Sequence, residues 1–326
     1  MCKSNKTDWF KDRKWGVFIH YLAGKASSKV GAEISAEEWN RRVDSFDTES
    51  LASQLKKIGA GYLFITIGQN SGNYCTPNAT YDSITGIFPS KCSKRDLISD
   101  LYESLSPGNI KLMVYLPSGA PSNDPVAIEK LEWENGYLPN GEIKKPGKHL
   151  VEFQCKWEAV IREWSLRWRD KVCGWWIDGC YFSDDMYSHP EPPNFESFAK
   201  ALKAGNPDSI VAFNPGVKDP VISMTEYEDY TAGELAHSLP LGYWNKDRYC
   251  EYDRWVDGAQ LHVLNFLGEF WGKGGPRFPD ELVIGHTKYI NRLGGVVTWD
   301  VPVNCGGTIA EPLMEQLFAL GKEISL

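Results

Sequence analysis

What constrains this chain most is an alternation of short apolar runs with stretches in which apolar residues recur at helical spacing. The runs Lys14 to Leu22, Tyr62 to Gly68, Ile110 to Leu116, Val172 to Ile177, Ile210 to Phe213, Leu261 to Phe266 and Val296 to Val301 read as buried strands. Between them, Leu51, Leu55 and Ile58 run up to a break at Gly59, and Leu97, Leu101 and Leu105 are stopped by Pro107-Gly108. Phe153, Trp157, Ile161 and Trp164 mark a third helix and Phe195, Phe198 and Leu202 a fourth, with two more over about 279–291 and 309–324. Repeated βα units of this kind build a parallel sheet covered by helices. With a sixth, indistinct strand near Tyr230, the pattern predicts an α/β fold, a (β/α)8 barrel formed by residues 1–326 as a single domain. The longest irregular segment, Pro117 to Lys148, reads as a long loop.

Charge and composition then remove several function classes. The net charge is −8 and there is no long Lys/Arg run, so the chain is not expected to bind nucleic acid. No apolar stretch is long enough to span a bilayer, and none at the N-terminus reads as an export signal. The expectation is a protein without a membrane partner, cytoplasmic as given and exported if a signal peptide was trimmed. The eight cysteines are dispersed and show no C-x-x-C spacing, so they read as free thiols. Six histidines stand singly, without H-x-H or H-E-x-x-H spacing, and neither a metal nor a cofactor is expected. The acidic pairs Asp184-Asp185 and Glu228-Asp229 read as solvated loop residues rather than a calcium site.

In a barrel of this kind, chemistry gathers at the C-terminal ends of the strands, where the βα loops converge. The polar residues at those ends are His20, Gln69 and Asn70, Tyr115, Asp178, Asn214 and Asp300. Asp178 closes the run Cys173-Gly174-Trp175-Trp176-Ile177, and a carboxylate there is rigidly held and partly desolvated, as a nucleophile toward an anomeric carbon must be. The competing explanation is an Asp that caps a helix or ties a loop. Glycoside hydrolysis needs a second carboxyl group, and Glu234 and Glu269 are the two candidates that sequence spacing leaves unresolved. Aromatic residues make up 13% of the chain. They suit stacking against sugar faces, although a Trp-rich core accounts for the composition more simply.

These segments resemble the α-L-fucosidases of glycoside hydrolase family 29. Lys14-Trp15-Gly16-Val17-Phe18-Ile19-His20 is similar to that family's opening F-G-I-F-I-H-W, and Leu55 to Tyr62 to its K-K-A-G-A-K-Y. Arg95-Asp96-Leu97 matches R-D-L, Trp176-Ile177-Asp178-Gly179 matches W-x-D-G, and Gly306-Gly307-Thr308-Ile309 with Pro312 matches the end of the family's barrel. The resemblance implies Asp178 as nucleophile and Glu234, in Thr231-Ala232-Gly233-Glu234, as acid/base, with Glu269 the alternative. It further implies substrate contacts from His20, Tyr115, Trp176 and Trp271, to which the strand-end residues Gln69, Asn70 and Asn214 are added as candidate substrate-binding residues.

The departures bear on the sugar pocket. The family's histidine pair after strand two is replaced by Gln69-Asn70, which cannot carry a proton charge near neutral pH. Its strand-five arginine is replaced within Phe213-Asn214-Pro215-Gly216, with Lys218 as a stand-in, and the resemblance covers the catalytic barrel without the family's C-terminal β-sandwich. The expectation is therefore a retaining exo-glycosidase acting on a terminal α-L-fucoside or a related sugar in an oligosaccharide or glycoside. The alternative is a lapsed barrel that binds glycans without hydrolysing them.

Overall fold

The computed structural model describes residues 6–24, 34–134, 136–137, 143–144, 148–182 and 187–324. Asp184-Asp185 lies outside them. Seven parallel strands form one curled sheet: β1 (Trp15–Ile19), β2 (Tyr62–Thr66), β3 (Lys111–Pro117), β4 (Gly174–Asp178), β5 (Ile210–Phe213), β6 (His262–Phe266) and β7 (Val296–Asp300). They pair in the order β6-β7-β1-β2-β3-β4-β5. The chain is a (β/α) barrel, as its alternation predicts.

The expected eighth strand, in sixth place, is not a regular one. Residues 229–235 occupy the gap between β5 and β6 through single bridges, Tyr230 to Gln260 and Glu234 to Leu264. Asp229 donates its N–H to the Val211 carbonyl on one side (2.8 Å), while Thr231 and Leu235 donate to Gln260 (3.0 Å) and Leu264 (2.8 Å) on the other. Gly233 interrupts the ladder. Its φ is +60°, and a β-carbon there would lie 1.9 Å from the His262 carbonyl oxygen, so only glycine lets the two backbones approach.

Alternation along the strands separates two cores. Val17, Leu63, Ile65, Leu112, Val114, Trp175, Ile177, Val211, Phe213, Val263, Val297 and Trp299 face outward and are sealed by the helices. Phe18, Tyr62, Phe64, Met113, Tyr115, Trp176, Ile210, Ala212, Leu264, Phe266 and Val296 face inward and fill the barrel. The helices bury the faces that their spacing announces. In Thr48–Ile58, Leu51, Leu55 and Ile58 are buried, Asp47 caps the N-terminus by accepting from the Ser50 N–H, and Gly59 ends the helix in the left-handed region. The helix predicted around Trp157 runs from Val151 to Trp168, with Phe153, Trp157, Ile161 and Trp164 inward. The segment expected as a long loop contains the helix Pro125–Leu131, whose Asp124 cap accepts from the Val126 and Ala127 N–H groups. Among the described residues no helix is long and apolar enough to cross a membrane.

Most tryptophans answer to the simpler explanation. Trp15, Trp39, Trp157, Trp164, Trp168, Trp175 and Trp299 are fully buried, leaving a small subset for a site. Glu228 and Asp229 are not a solvated pair either. Glu228 is buried and accepts from the N–H groups of Phe213 (3.1 Å) and Met224 (2.7 Å), and Asp229 accepts from Lys203 and the Val211 N–H, so both brace backbone.

Candidate active site

Period two decides which strand-end residues reach the barrel mouth. Asp178 is two residues beyond the inward Trp176, and Asn214 two beyond the inward Ala212; both therefore project inside. Asp300, two beyond Thr298, follows the same parity and is fully buried. Together with Glu234, these side chains ring the C-terminal end of the barrel, where a cavity opens. Asp178 and Glu234 form its acidic wall, Trp176, Trp271 and Phe18 its apolar wall, and His20, Gln69 and Tyr115 its polar wall.

Asp178 accepts from the Tyr115 hydroxyl at Oδ2 (2.6 Å) and from Asn214 Nδ2 at Oδ1 (2.9 Å), with Tyr181 Oη 3.4 Å from Oδ1. Gln69 Nε2 donates to Tyr115 Oη (2.7 Å), which directs the hydroxyl proton onward to Asp178. Burial and the neighbouring Asp178 charge push the Tyr115 hydroxyl well above its ordinary pKa, keeping it a donor.

The same Asn214 Nδ2 lies 2.7 Å from Glu234 Oε2. The two carboxylate oxygens therefore cannot be farther apart than these two bonds laid end to end. Burial, and then repulsion from Asp178, raise the Glu234 carboxyl from its ordinary 4.5 to about 7, opposed by the Asn214 hydrogen bond. Two acids side by side, one held protonated near neutral pH, are suited to divide nucleophile and proton-donor work.

Also on the cavity lining, His20 Nδ1 donates to Asp300 Oδ1 (2.6 Å), while Asp300 Oδ2 accepts from the Gly272 N–H (2.7 Å). One buried carboxylate thus fixes the imidazole and the turn carrying Trp271, whose ring centroid is 5.8 Å from that of His20. The glycine-rich segment 272–276 is anchored here at Gly272. Trp176 is held by its indole N–H to the Ala232 carbonyl (3.0 Å) and stacks on Tyr115.

Several expected residues fall elsewhere. Glu269 is exposed and does not line the cavity; Asn70 also lies outside it, its carbonyl accepting from the Asn123 N–H (2.9 Å). Lys218 is exposed, so the missing strand-five cation has no replacement there. Conversely, Tyr181 lines the cavity without having been anticipated. Its only sequence signal is its place three residues after Asp178, within the single turn Cys180–Phe182. A second, larger cavity adjoins the first across His20 and Trp271, but among the described residues no carboxylate lines it.

No protein-family model and no curated protein matches the chain. Solved structures do match it in fold. An endo-fucoidan hydrolase from glycoside hydrolase family 107 aligns over 98% of this chain and 54% of its own, with a TM-score of 0.70 at 16% identity. The α-L-fucosidase AlfC, solved with 4-nitrophenyl α-L-fucopyranoside, aligns over 98% of both chains at a TM-score of 0.62 and 14% identity. Alpha-L-fucosidase isoenzyme 1 from Paenibacillus thiaminolyticus aligns over 100% of this chain and 76% of its own, at 0.63 and 15%. The chain spans about half the length of the family 107 protein. At these identities the shared property is the barrel.

Proposed function

We propose that this barrel is a retaining exo-glycosidase that hydrolyses a terminal α-L-fucoside or a sugar of related configuration, with Asp178 as nucleophile and Glu234 as acid/base. The observation that carries the reading is the single amide nitrogen bonded to both carboxylates. Retaining enzymes hold their carboxyl groups ~5–5.5 Å apart and inverting ones ~6.5–9.5 Å apart, and two oxygens sharing one donor fit the first arrangement. The fucose assignment draws on the family 29 motifs around His20 and Asp178 and on the barrels of fucosidases and endo-fucoidan hydrolases that superpose on this one.

In the first half-reaction the Asp178 carboxylate bonds to the anomeric carbon as the glycosidic C–O bond breaks, and Glu234 gives its proton to the departing oxygen. In the second, the Glu234 carboxylate takes a proton from water, whose oxygen bonds to the anomeric carbon and releases Asp178 and the sugar with retained configuration. Trp176 and Trp271 supply apolar faces for the ring, and His20 and Gln69 supply hydrogen-bonding groups for its hydroxyls.

Asp178→Gly tests the assignment when assayed on an aryl α-L-fucoside with and without sodium azide. The expected result is loss of turnover, restored by azide with formation of the glycosyl azide of inverted configuration. Substantial azide-independent turnover by this variant contradicts the role of Asp178. Calorimetric glycan binding by the unaltered protein, without hydrolysis across a panel of aryl glycosides, favours the lapsed, binding-only barrel.

A further inference from the structure

We infer that Asn214 is a positioning residue rather than a substrate contact, and that it fixes the acid proton of Glu234 on Oε1. The inference rests on the reading of Asp178 and Glu234 given above, and it starts from a count of the polar atoms of Asn214. Its backbone N–H donates to the Ile177 carbonyl (2.7 Å), and its own carbonyl accepts from the Cys180 N–H (2.9 Å). Its side-chain Oδ1 accepts from the Gly216 N–H (3.0 Å), the hydrogen bond of an Asx turn. The two hydrogens on Nδ2 go to Asp178 Oδ1 and Glu234 Oε2. Asn214 is fully buried, so every donor is spent and no face is left for a sugar.

The orientation of the amide is not free. Turning it over would set Oδ1 against the Asp178 carboxylate and Nδ2 against the Gly216 N–H, two repulsive contacts that persist whether Glu234 is ionised or protonated. The turn that prevents this depends on Gly216. Its φ is +82°, and a β-carbon there would stand 2.7 Å from the Tyr181 ring. Pro215-Gly216 therefore aims an N–H at Oδ1, and through the rigid amide plane aims two N–H bonds at the acids.

The consequence for Glu234 follows from hydrogen-bond chemistry. In a protonated carboxyl group the carbonyl-type oxygen is the better acceptor and the hydroxyl oxygen the donor. Oε2 accepts from Asn214, so in the acid form the proton resides on Oε1. Among the described residues nothing bonds to Oε1, which leaves that proton for a leaving-group oxygen. Because the bond to Asn214 favours the ionised carboxylate, it also limits how far burial and Asp178 raise the group. An arginine in the same place would add a positive charge; the neutral amide positions both acids without it.

The test pairs kinetics with a readout that needs no turnover. Asn214→Leu removes both N–H bonds at similar volume, and Asn214→Asp keeps the Gly216 contact but replaces the donor with a third carboxyl group. In each variant, the infrared carbonyl band of protonated Glu234, identified by subtracting the corresponding Glu234→Gln double variant, should persist to higher pH than in the unaltered protein. The expected displacement is about one pH unit or more, and the alkaline limb of kcat/KM on an aryl α-L-fucoside should move with it. An unmoved band in a folded Asn214→Asp or Asn214→Leu variant overturns the inference. So does a rise in KM with kcat and the alkaline limb unchanged, the signature of a lost substrate contact. If no glycoside is turned over by the unaltered protein, the glycosidase reading fails while the band still decides the role of Asn214.

Discussion

At the N-terminal end of the barrel, the helix Asp8–Arg13 inserts Phe10 against Tyr62, Tyr230 and His262. There His262 is fully buried, Nδ1 donating to the Thr231 carbonyl (2.9 Å) and Nε2 bonded to the Thr298 hydroxyl (2.7 Å), which the Tyr62 hydroxyl also meets (2.7 Å). At the C-terminal end Asp300 is equally enclosed, whereas Asp178, Glu234 and His20 are half-buried and face a cavity. The lower network is closed, and burial lowers its histidine to a pKa of about 4. Among the described residues the upper one leaves Glu234 Oε1 without a partner, and burial with the neighbouring Asp178 raises that acid to about 7. Buried polar groups whose bonds are all made hold a structure together; those left one bond short beside a cavity are placed for a ligand.

The contrast breaks if changes at the upper end alter folding more than rate, or the reverse at the lower end. The largest expected effect is that of Glu234→Gln, which should lower kcat/KM on a fucoside with a poor leaving group by ~10²–10⁴-fold and abolish the decline of rate above pH about 7. Its effect on stability has the opposite sign. An acid raised from 4.5 to about 7 binds more protons folded than unfolded in that window, so its contribution is present below pH 4.5 and is lost as pH climbs through 7. Melting curves should accordingly show Glu234→Gln gaining on the unaltered protein between those limits. Phe10→Ala is the converse case. Removal of a fully buried ring from the lower plug should cost ~3–5 kcal/mol in denaturant unfolding, while kcat per folded molecule changes less than about twofold. Asp300→Asn should have the smallest effect, raising KM by about tenfold with a lesser fall in kcat, because it loosens His20 and the Trp271 turn without touching either acid. Nitrogen chemical shifts of His20 in that variant check the cause, since its Nδ1-protonated form should give way to the other tautomer.

Much of the upper end was legible because strand periodicity is strict. Once Trp176 and Asp178 share a face, a carboxylate at the end of β4 has only the barrel mouth to point into, and the same parity places Asn214 and Asp300. Glu234 was harder. It is carried by an irregular segment in which Gly233 breaks the ladder, so no alternating pattern distinguishes it from Glu269; the parallel bridge to Leu264 turns it inward. Asn70 shows the limit of arguing from neighbours. Gln69 reaches Tyr115, but the chain turns at once and Asn70 pairs through its backbone with the Asn123 segment. The expectation that Asn214 reads the sugar came from residue type alone, and the count of its bonds points instead to holding the acids. Tyr181 was missed because nothing in its spacing separates a cavity wall from a core aromatic.

The most direct measurement is covalent trapping with 2-deoxy-2-fluoro-α-L-fucosyl fluoride or its configurational relatives, read by mass spectrometry of the intact protein and its peptic peptides. The account predicts one added glycosyl unit, carried by the peptide containing Asp178 and absent from Asp178→Asn. A label on any other carboxylate, or time-dependent inactivation that survives Asp178→Asn, contradicts it.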